Sequence, residues 1–90
     1  MKGELIYKSK KNVNSYHLYS DKIVVYTSSG KKEIPLPVDP MTFMYYLSFE
    51  YMYYDQDTLF VVLGTRGPYD QRFAVDEDSL ELKGPPIPTY

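Results

Sequence analysis

Short segments in which apolar and polar residues alternate run along most of the chain, with polar breaks between them. A period of two is typical of half-buried β-strands, whose successive side chains point to opposite faces. Breaks rich in Ser, Asn, Asp and Gly favour tight turns between antiparallel strands. The pattern therefore predicts an all-β fold, a small antiparallel sandwich or partly open barrel of seven to eight short strands built from two meanders. The predicted strands cover residues 4–8, 15–19, 23–27, 32–34, 45–53, 58–63, 71–75 and 80–82.

A proline-rich segment over residues 35–40 separates the two meanders. Proline lacks the amide hydrogen that a sheet uses and biases the preceding residue away from helix. Asp39 followed by Pro40 resembles a helix start, with a capping side chain and a proline at the first helical position. The sequence thus allows one short helical turn after Pro40.

An aromatic block follows, in which seven of the twelve residues from 43 to 54 are Phe or Tyr. In a strand, alternate residues from Tyr45 to Tyr53 share one apolar face, and Ser48 and Glu50 lie on the other. In a helix, Glu50 would fall within the aromatic face. The strand is favoured, and a helix over residues 41–50 is the alternative.

The length of 90 residues predicts one domain, with residues 1–84 forming the β domain and residues 85–90 a Pro-rich tail. The two halves resemble each other, because the strongest strand of each follows an aspartate, Asp21 or Asp57. An internal duplication with an offset of 36 residues is therefore an open alternative. The predicted core takes the inward positions of the alternating segments: Leu5, Tyr7, Leu18, Ile23, Val25, Leu47, Phe49, Tyr51, Leu59, Val61, Leu63, Phe73 and Val75.

Eleven tyrosines, no tryptophan and no cysteine distinguish the composition. A tyrosine ring fills a core, but its hydroxyl needs water or a partner, so an excess of tyrosine favours half-buried sheet faces and binding surfaces. The balance of 43% hydrophobic and 24% charged residues is typical of a soluble globular domain. No signal peptide or membrane-spanning segment is visible, so we expect a cytoplasmic protein with no membrane partner.

The net charge of −2 conceals an asymmetry between the halves. Residues 1–38 carry seven lysines and three acidic residues, whereas residues 39–90 carry three basic and nine acidic residues. The halves thus have net charges of +4 and −6. We expect them to lie side by side and attract each other; the alternative is that each half faces a different partner.

Few residues offer catalytic chemistry. The chain has one histidine, His17, and contains none of the common nucleophile, phosphate-loop or zinc motifs. Asp55 and Asp57 lie together in a turn, which suggests a metal-assisted hydrolase as a minor alternative, but aspartate in turns usually bonds to the backbone. We therefore expect no enzyme activity, no catalytic residue, no metal and no cofactor.

A non-catalytic protein-interaction module, binding a protein partner or a second copy of itself, is the leading hypothesis. Two regions suggest its contact surface. The second face of the aromatic strand carries Tyr and Met residues, and the loop over residues 64–72 combines Arg, Tyr and Gly, types common at binding hot spots. The predicted partner-binding residues are Tyr46, Met52, Tyr54, Arg66, Tyr69 and Arg72.

The alternative function is a single-strand nucleic-acid or glycan binder that stacks its ligand on tyrosine rings beside a lysine rim. A pI of about 5.2 argues against nucleic acid, because nucleic-acid-binding domains are usually basic. The candidate residues for this function are Lys8, Lys10, Lys11, Tyr16 and Tyr19.

Overall fold

The computed structural model describes residues 4–89 and shows eight β-strands in two four-stranded sheets packed face to face. Each sheet is an antiparallel meander whose strands follow one another in chain order. The first sheet contains β1 (Leu5–Lys8), β2 (Ser15–Leu18), β3 (Lys22–Thr27) and β4 (Gly30–Pro35), and the second contains β5 (Ser48–Asp55), β6 (Thr58–Gly64), β7 (Asp70–Asp76) and β8 (Glu81–Thr89). The predicted all-β sandwich of two meanders is confirmed.

The aromatic block forms a strand only from Ser48 onward, three residues later than predicted, and the helix considered over residues 41–50 is absent. Residues 40–42 form a hydrogen-bonded turn rather than a helix. Within residues 4–89 there is no helix of any length, so none there is long and apolar enough to cross a membrane.

The two meanders do not correspond strand by strand at the offset that suggested a duplication. The strand after Asp21 is the third of its sheet, whereas the strand after Asp57 is the second. A shift of 36 residues therefore superposes strands that hold different positions in their sheets.

The core lies between the sheets and takes one residue in two from each regular strand. Alternation predicted nine of its members correctly, because β2, β3, β6 and β7 keep an uninterrupted pleat on their inner faces. The core cluster consists of Tyr16, Leu18, Ile23, Val25, Ile34, Tyr46, Phe49, Met52, Leu59, Val61, Leu63, Phe73 and Val75, with Tyr7 packed against it.

A β-bulge at Glu50 overturns the predicted single face of the aromatic strand. Phe49 lies opposite Leu63 and Tyr51 lies opposite Val62, so Glu50 is an extra residue in the register between β5 and β6. An extra residue reverses the facing of everything after it. Tyr51 and Tyr53 consequently lie on the outer face and Met52 in the core. Two other residues expected in the core are exposed: Leu5 on the edge strand β1, and Leu47, which precedes β5.

The proline-rich C-terminal segment is a strand as far as it is described. Residues 85–89, expected as part of a tail, belong to β8 and lie opposite β7, with Ile87 opposite Arg72 and Thr89 opposite Asp70. Since β8 is an edge strand, its prolines interrupt no ladder on the outer side. The last residue of the expected tail, Tyr90, lies outside the described residues.

The buried carboxylate of Glu77 connects the two sheets at one end of the sandwich. Glu77 lies in the turn between β7 and β8 and is only 7% exposed. It accepts hydrogen bonds from the hydroxyls of Ser9 (2.8 Å) and Tyr16 (3.0 Å) of the first half and Tyr54 (2.9 Å) of the second. Burial and the bond to Glu77 raise the pKa of Tyr16 well above its ordinary value. Tyrosine rings thus fill the core while their hydroxyls compensate a buried charge.

Opposite charges of the two halves do not meet as ion pairs within residues 4–89. The three pairs found there each join residues of one half: Glu4 with His17, Asp55 with Arg72, and Glu81 with Lys83. The expected attraction between the halves is therefore not seen as direct ion pairs among these residues.

The Glu77 cluster predicts a measurable difference between two tyrosine hydroxyls. Tyr16→Phe should lower the free energy of unfolding by about 1.5 to 3 kcal/mol, because a buried carboxylate loses a donor. Tyr19→Phe is the matched control, since the Tyr19 hydroxyl also donates to a carboxylate, that of the exposed Glu4. We expect a clearly smaller loss for the control, because water replaces the lost partner of an exposed carboxylate. Equal losses in urea unfolding would contradict a special role of Glu77.

Candidate functional site

Exposed apolar side chains concentrate in residues 38–47, which link the last strand of the first sheet to the first strand of the second. We call this segment the connector. It holds six of the thirteen large apolar residues that are exposed in the described chain. Elsewhere such residues occur singly or in smaller groups, as on most protein surfaces. The connector members are Val38, Met41, Phe43, Met44, Tyr45 and Leu47.

The connector is folded around the carboxylate and backbone of Asp39, which is 8% exposed. The Asp39 side chain accepts the amide hydrogen of Met41 (2.9 Å), and its carbonyl accepts that of Phe43 (2.8 Å). Its own amide donates to the carbonyl of Met44 (2.8 Å), and Val38 pairs with Tyr45 as an isolated bridge. The Asp39–Pro40 pair that suggested a helix start therefore closes a compact loop.

Phe43 lies at the tip of this loop and is 84% exposed. Its φ of 59° is in the left-handed region, which costs a residue with a Cβ about 1 to 2 kcal/mol. A bulky residue in this conformation is a true outlier. The fold thus presents a large apolar ring to solvent in a strained conformation, and packing within the chain does not account for it.

Tyr46 fastens the connector to the second sheet. It is 3% exposed, its ring meets that of Phe73 edge to face at 5.7 Å, and its hydroxyl donates to the side chain of Gln71. Burial, with the nearby charge of Asp39, raises the pKa of Tyr46 to about 12. Tyr46 was predicted to contact a partner from an exposed position, but its side chain is buried and lines the inner wall of a cavity beside the connector.

A cavity of about 240 Å³ lies between the connector and the loop that joins β6 to β7. The Arg66 guanidinium donates to the carbonyl of Tyr45 (2.8 Å), and the Thr65 hydroxyl donates to the carbonyl of Tyr69 (2.6 Å). These bonds join the loop to the connector and shape the loop itself. The walls are largely apolar and include Met41, Tyr45, Pro68, Tyr69 and Pro88.

The six predicted partner-binding residues separate into different regions. Arg66 and Tyr69 border the cavity, beside the connector. Met52 and Tyr46 are buried, and Tyr54 is half-buried against Glu77. The bulge at Glu50 explains Met52 and Tyr54, because it turns both toward the inside. Sequence reasoning missed the exposed Met41 and Phe43, although the lack of charged residues from 40 to 49 was a readable signal.

Arg72 lies apart from the cavity, on the outer face of the second sheet. Its guanidinium stacks on Phe60 at 4.2 Å, donates to the Tyr53 hydroxyl (2.7 Å) and pairs with Asp55 (3.6 Å). Tyr51 and Tyr53 continue this aromatic face, with ring centroids 6.0 Å apart. Arg72 therefore stabilises the outer face of the sheet through its contacts with three neighbours, and it does not line the cavity.

The residues proposed for nucleic-acid binding do not form one surface. Tyr16 is fully buried and bonded to Glu77, so no base can stack on it. The Tyr19 hydroxyl donates to Glu4, and the ammonium of Lys10 lies 5.0 Å from the ring of Tyr54. Lys8 is on β1, and Lys11 is in the loop that follows it. The prediction that a base or sugar stacks on Tyr16 is therefore wrong.

His17 lies in a row of polar side chains on the outer face of the first sheet. Its Nδ1 is 2.8 Å from a Glu4 carboxylate oxygen and its Nε2 is 3.3 Å from the Ser15 hydroxyl. This is the order of a nucleophilic triad, which also needs donors for an oxyanion and a place for substrate. On an open face beside the ring of Tyr26, the row acts instead to fasten Glu4 to the sheet.

Asp55 and Asp57 belong to the tight turn between β5 and β6. Gln56 and Asp57 both have positive φ, as the two central residues of a type I′ hairpin do. Across residues 4–89, no three His, Asp or Glu side chains are grouped so that they could hold a metal ion. The hairpin turn between β5 and β6 therefore explains why Asp55 and Asp57 lie close together in the sequence.

Comparison of the chain with protein-family models, curated proteins and solved structures finds no match.

The conformation of Phe43 predicts an unusual response to mutation. Phe43→Gly should raise the free energy of unfolding by about 1 kcal/mol, because glycine adopts positive φ without a steric cost and the exposed ring contributes little packing. Phe43→Ala is the control, since it also removes the ring but keeps the Cβ. Urea unfolding of both variants measures the effect. An equal response of the two would contradict backbone strain at this position.

The raised pKa of Tyr46 predicts a loss of stability in alkali. The ordinary pKa of tyrosine is about 10, so the folded state holds this proton more tightly than the unfolded state. The resulting stability is complete below about pH 10 and is lost as the pH rises through about 12. In Tyr46→Phe, the decline of unfolding free energy over this range should be shallower than in the wild type. Tyr51→Phe, which changes an exposed ring, is the control, and an unchanged decline in Tyr46→Phe would contradict the assignment.

Proposed function

We propose that the protein is a non-catalytic interaction module that binds a protein partner through the connector and the loop beside it. The observation that carries this proposal is Phe43, an aromatic ring 84% exposed on a loop fixed by a buried aspartate. Aromatic anchors of this kind dominate the binding energy of many interfaces. The contact surface centres on Met41, Phe43 and Tyr45, with Arg66 and Tyr69 at its border.

The internal bonding of the connector supports this role. Asp39 makes three hydrogen bonds to backbone groups of the loop, and the buried side chain of Tyr46 ties the loop to the second sheet. Binding then costs less conformational entropy than it would for a flexible loop. Each large apolar side chain that leaves water on binding contributes about 1.5 to 3 kcal/mol. A pre-formed loop of this composition is suited to tight contact.

The distribution of charge supports a protein partner. Residues 40–49 contain no charged side chain in a chain that is 24% charged overall. Interface cores are depleted in charge and enriched in aromatic residues and methionine. Nucleic acid, by contrast, requires a basic surface, and among the described residues that line the cavity Arg66 is the single cation. The nucleic-acid or glycan alternative has no comparable support in the connector.

Affinity capture with the tagged protein tests the proposal. The double variant Met41→Ser, Phe43→Ser should lose at least about 30-fold in affinity for its partner, the effect of one hot-spot residue. Val13→Ser is the matched control, because Val13 is 78% exposed on the loop between β1 and β2 and outside the connector. Cross-linking followed by mass spectrometry identifies the partner and the residues in contact. Equal capture by the double variant and the wild type would contradict the proposal.

A further inference from the structure

The connector carries a projecting ring and a cavity side by side. Phe43 projects from the loop, while its neighbours Thr42 and Tyr45 line the cavity. We infer that the partner at this surface is a second copy of the chain, with the Phe43 ring of each copy seated in the cavity of the other. This inference rests on the proposed function and names the partner of the same surface.

The size of the cavity fits this occupant. Its volume is about 240 Å³, and an apolar protein cavity of about 150 Å³ already binds a benzene ring. The walls supplied by Met41, Tyr45 and Tyr69 are those an aromatic ring prefers. A phenylalanine side chain from outside is therefore accommodated without enlarging the space.

Symmetry follows from the placement of the two features. In a two-fold dimer, the same patch on each copy meets itself, so every contact occurs twice. A ring and a cavity on adjacent residues of one loop satisfy this condition, because one rotation seats both rings. If they lay on distant surfaces, the same contact would instead propagate into open chains of molecules.

The lack of charge from residue 40 to residue 49 removes the usual obstacle to such a dimer. A patch that meets itself places each charge near its own copy, and like charges across an interface cost binding energy. Asp39 is buried beneath the loop and bonded to the Met41 amide, and Arg66 is bonded to the Tyr45 carbonyl. The uncharged centre of the surface can therefore approach its copy without like-charge repulsion, whereas Arg66 keeps its charge at the border of the cavity.

Analytical ultracentrifugation of the purified chain over a wide concentration range tests the inference. We expect a monomer–dimer equilibrium in the wild type and in Val13→Ala, and at least about 100-fold weaker association in Phe43→Ala, since two anchors are lost per dimer. Gly67→Trp blocks the cavity instead of removing the ring. A Cβ at Gly67 meets only the Thr65 hydroxyl, at 3.7 Å, so the variant has room to fold. Circular dichroism confirms folding of each variant.

The decisive measurement is dimer formation in a mixture of the two defective variants. Phe43→Ala retains an open cavity and Gly67→Trp retains the ring, so their mixture restores one of the two contacts and forms more dimer than either variant alone. Monomeric wild type at all concentrations, or no gain on mixing, overturns the inference. Association that weakens steeply with salt also overturns it, because that result indicates contact between the oppositely charged halves. If the wild type is monomeric but captures another protein through Phe43, the proposed function stands and only the second copy is excluded.

Discussion

The carboxylate of Glu77 accepts hydrogen bonds from hydroxyl groups of both halves of the chain, and these directional contacts position the two sheets. Hydrophobic burial between the sheets is larger in energy but does not fix orientation. The chain has no cysteine with which to join its halves, and no ion pair between them is found in residues 4–89. Ser9, Tyr16 and Tyr54 together compensate a charge that would be costly to bury alone. Tyrosine suits this task because one side chain supplies both the apolar ring and the donor.

A second polar anchor, on the connector, follows the same logic with different groups. Tyr46 places its ring against Phe73 and its hydroxyl on Gln71, and Asp39 organises the connector above it. The tyrosine excess therefore has two explanations. Tyr16, Tyr46 and Tyr54 hold the fold, whereas Tyr45 and Tyr69 border the cavity and Tyr26 and Tyr51 lie exposed on the outer faces of the sheets.

Sequence periodicity predicts this fold wherever a strand keeps a regular pleat. The inner faces of β3, β6 and β7 follow directly from alternation, because the inward residues that form the core are all apolar. The same reasoning fails at Glu50, since a bulge changes the facing of later residues without any change in composition. It also fails at Glu77. An Asp-Glu-Asp turn suggests a solvated surface, and only the distant hydroxyls of Ser9 and Tyr16 make burial of the middle residue favourable.

The candidate site was harder to predict for a related reason. Arg66 and Tyr69 were recognisable by residue type, but exposure of Phe43 depends on a loop closed by Asp39 and Met44, and an aromatic residue is by default assigned to the core.

The residues that hold the connector in place are not the residues that it exposes, and this difference explains how the fold tolerates an apolar surface. Asp39 and Tyr46 secure the connector from below, so the side chains of Met41 and Phe43 are not needed to hold the loop in place. The left-handed backbone at Phe43 even opposes folding slightly. A residue that costs stability and receives no packing in return persists where something outside the fold compensates it, as strained residues at binding sites do. Under the proposed function, that compensation is the contact that covers the ring.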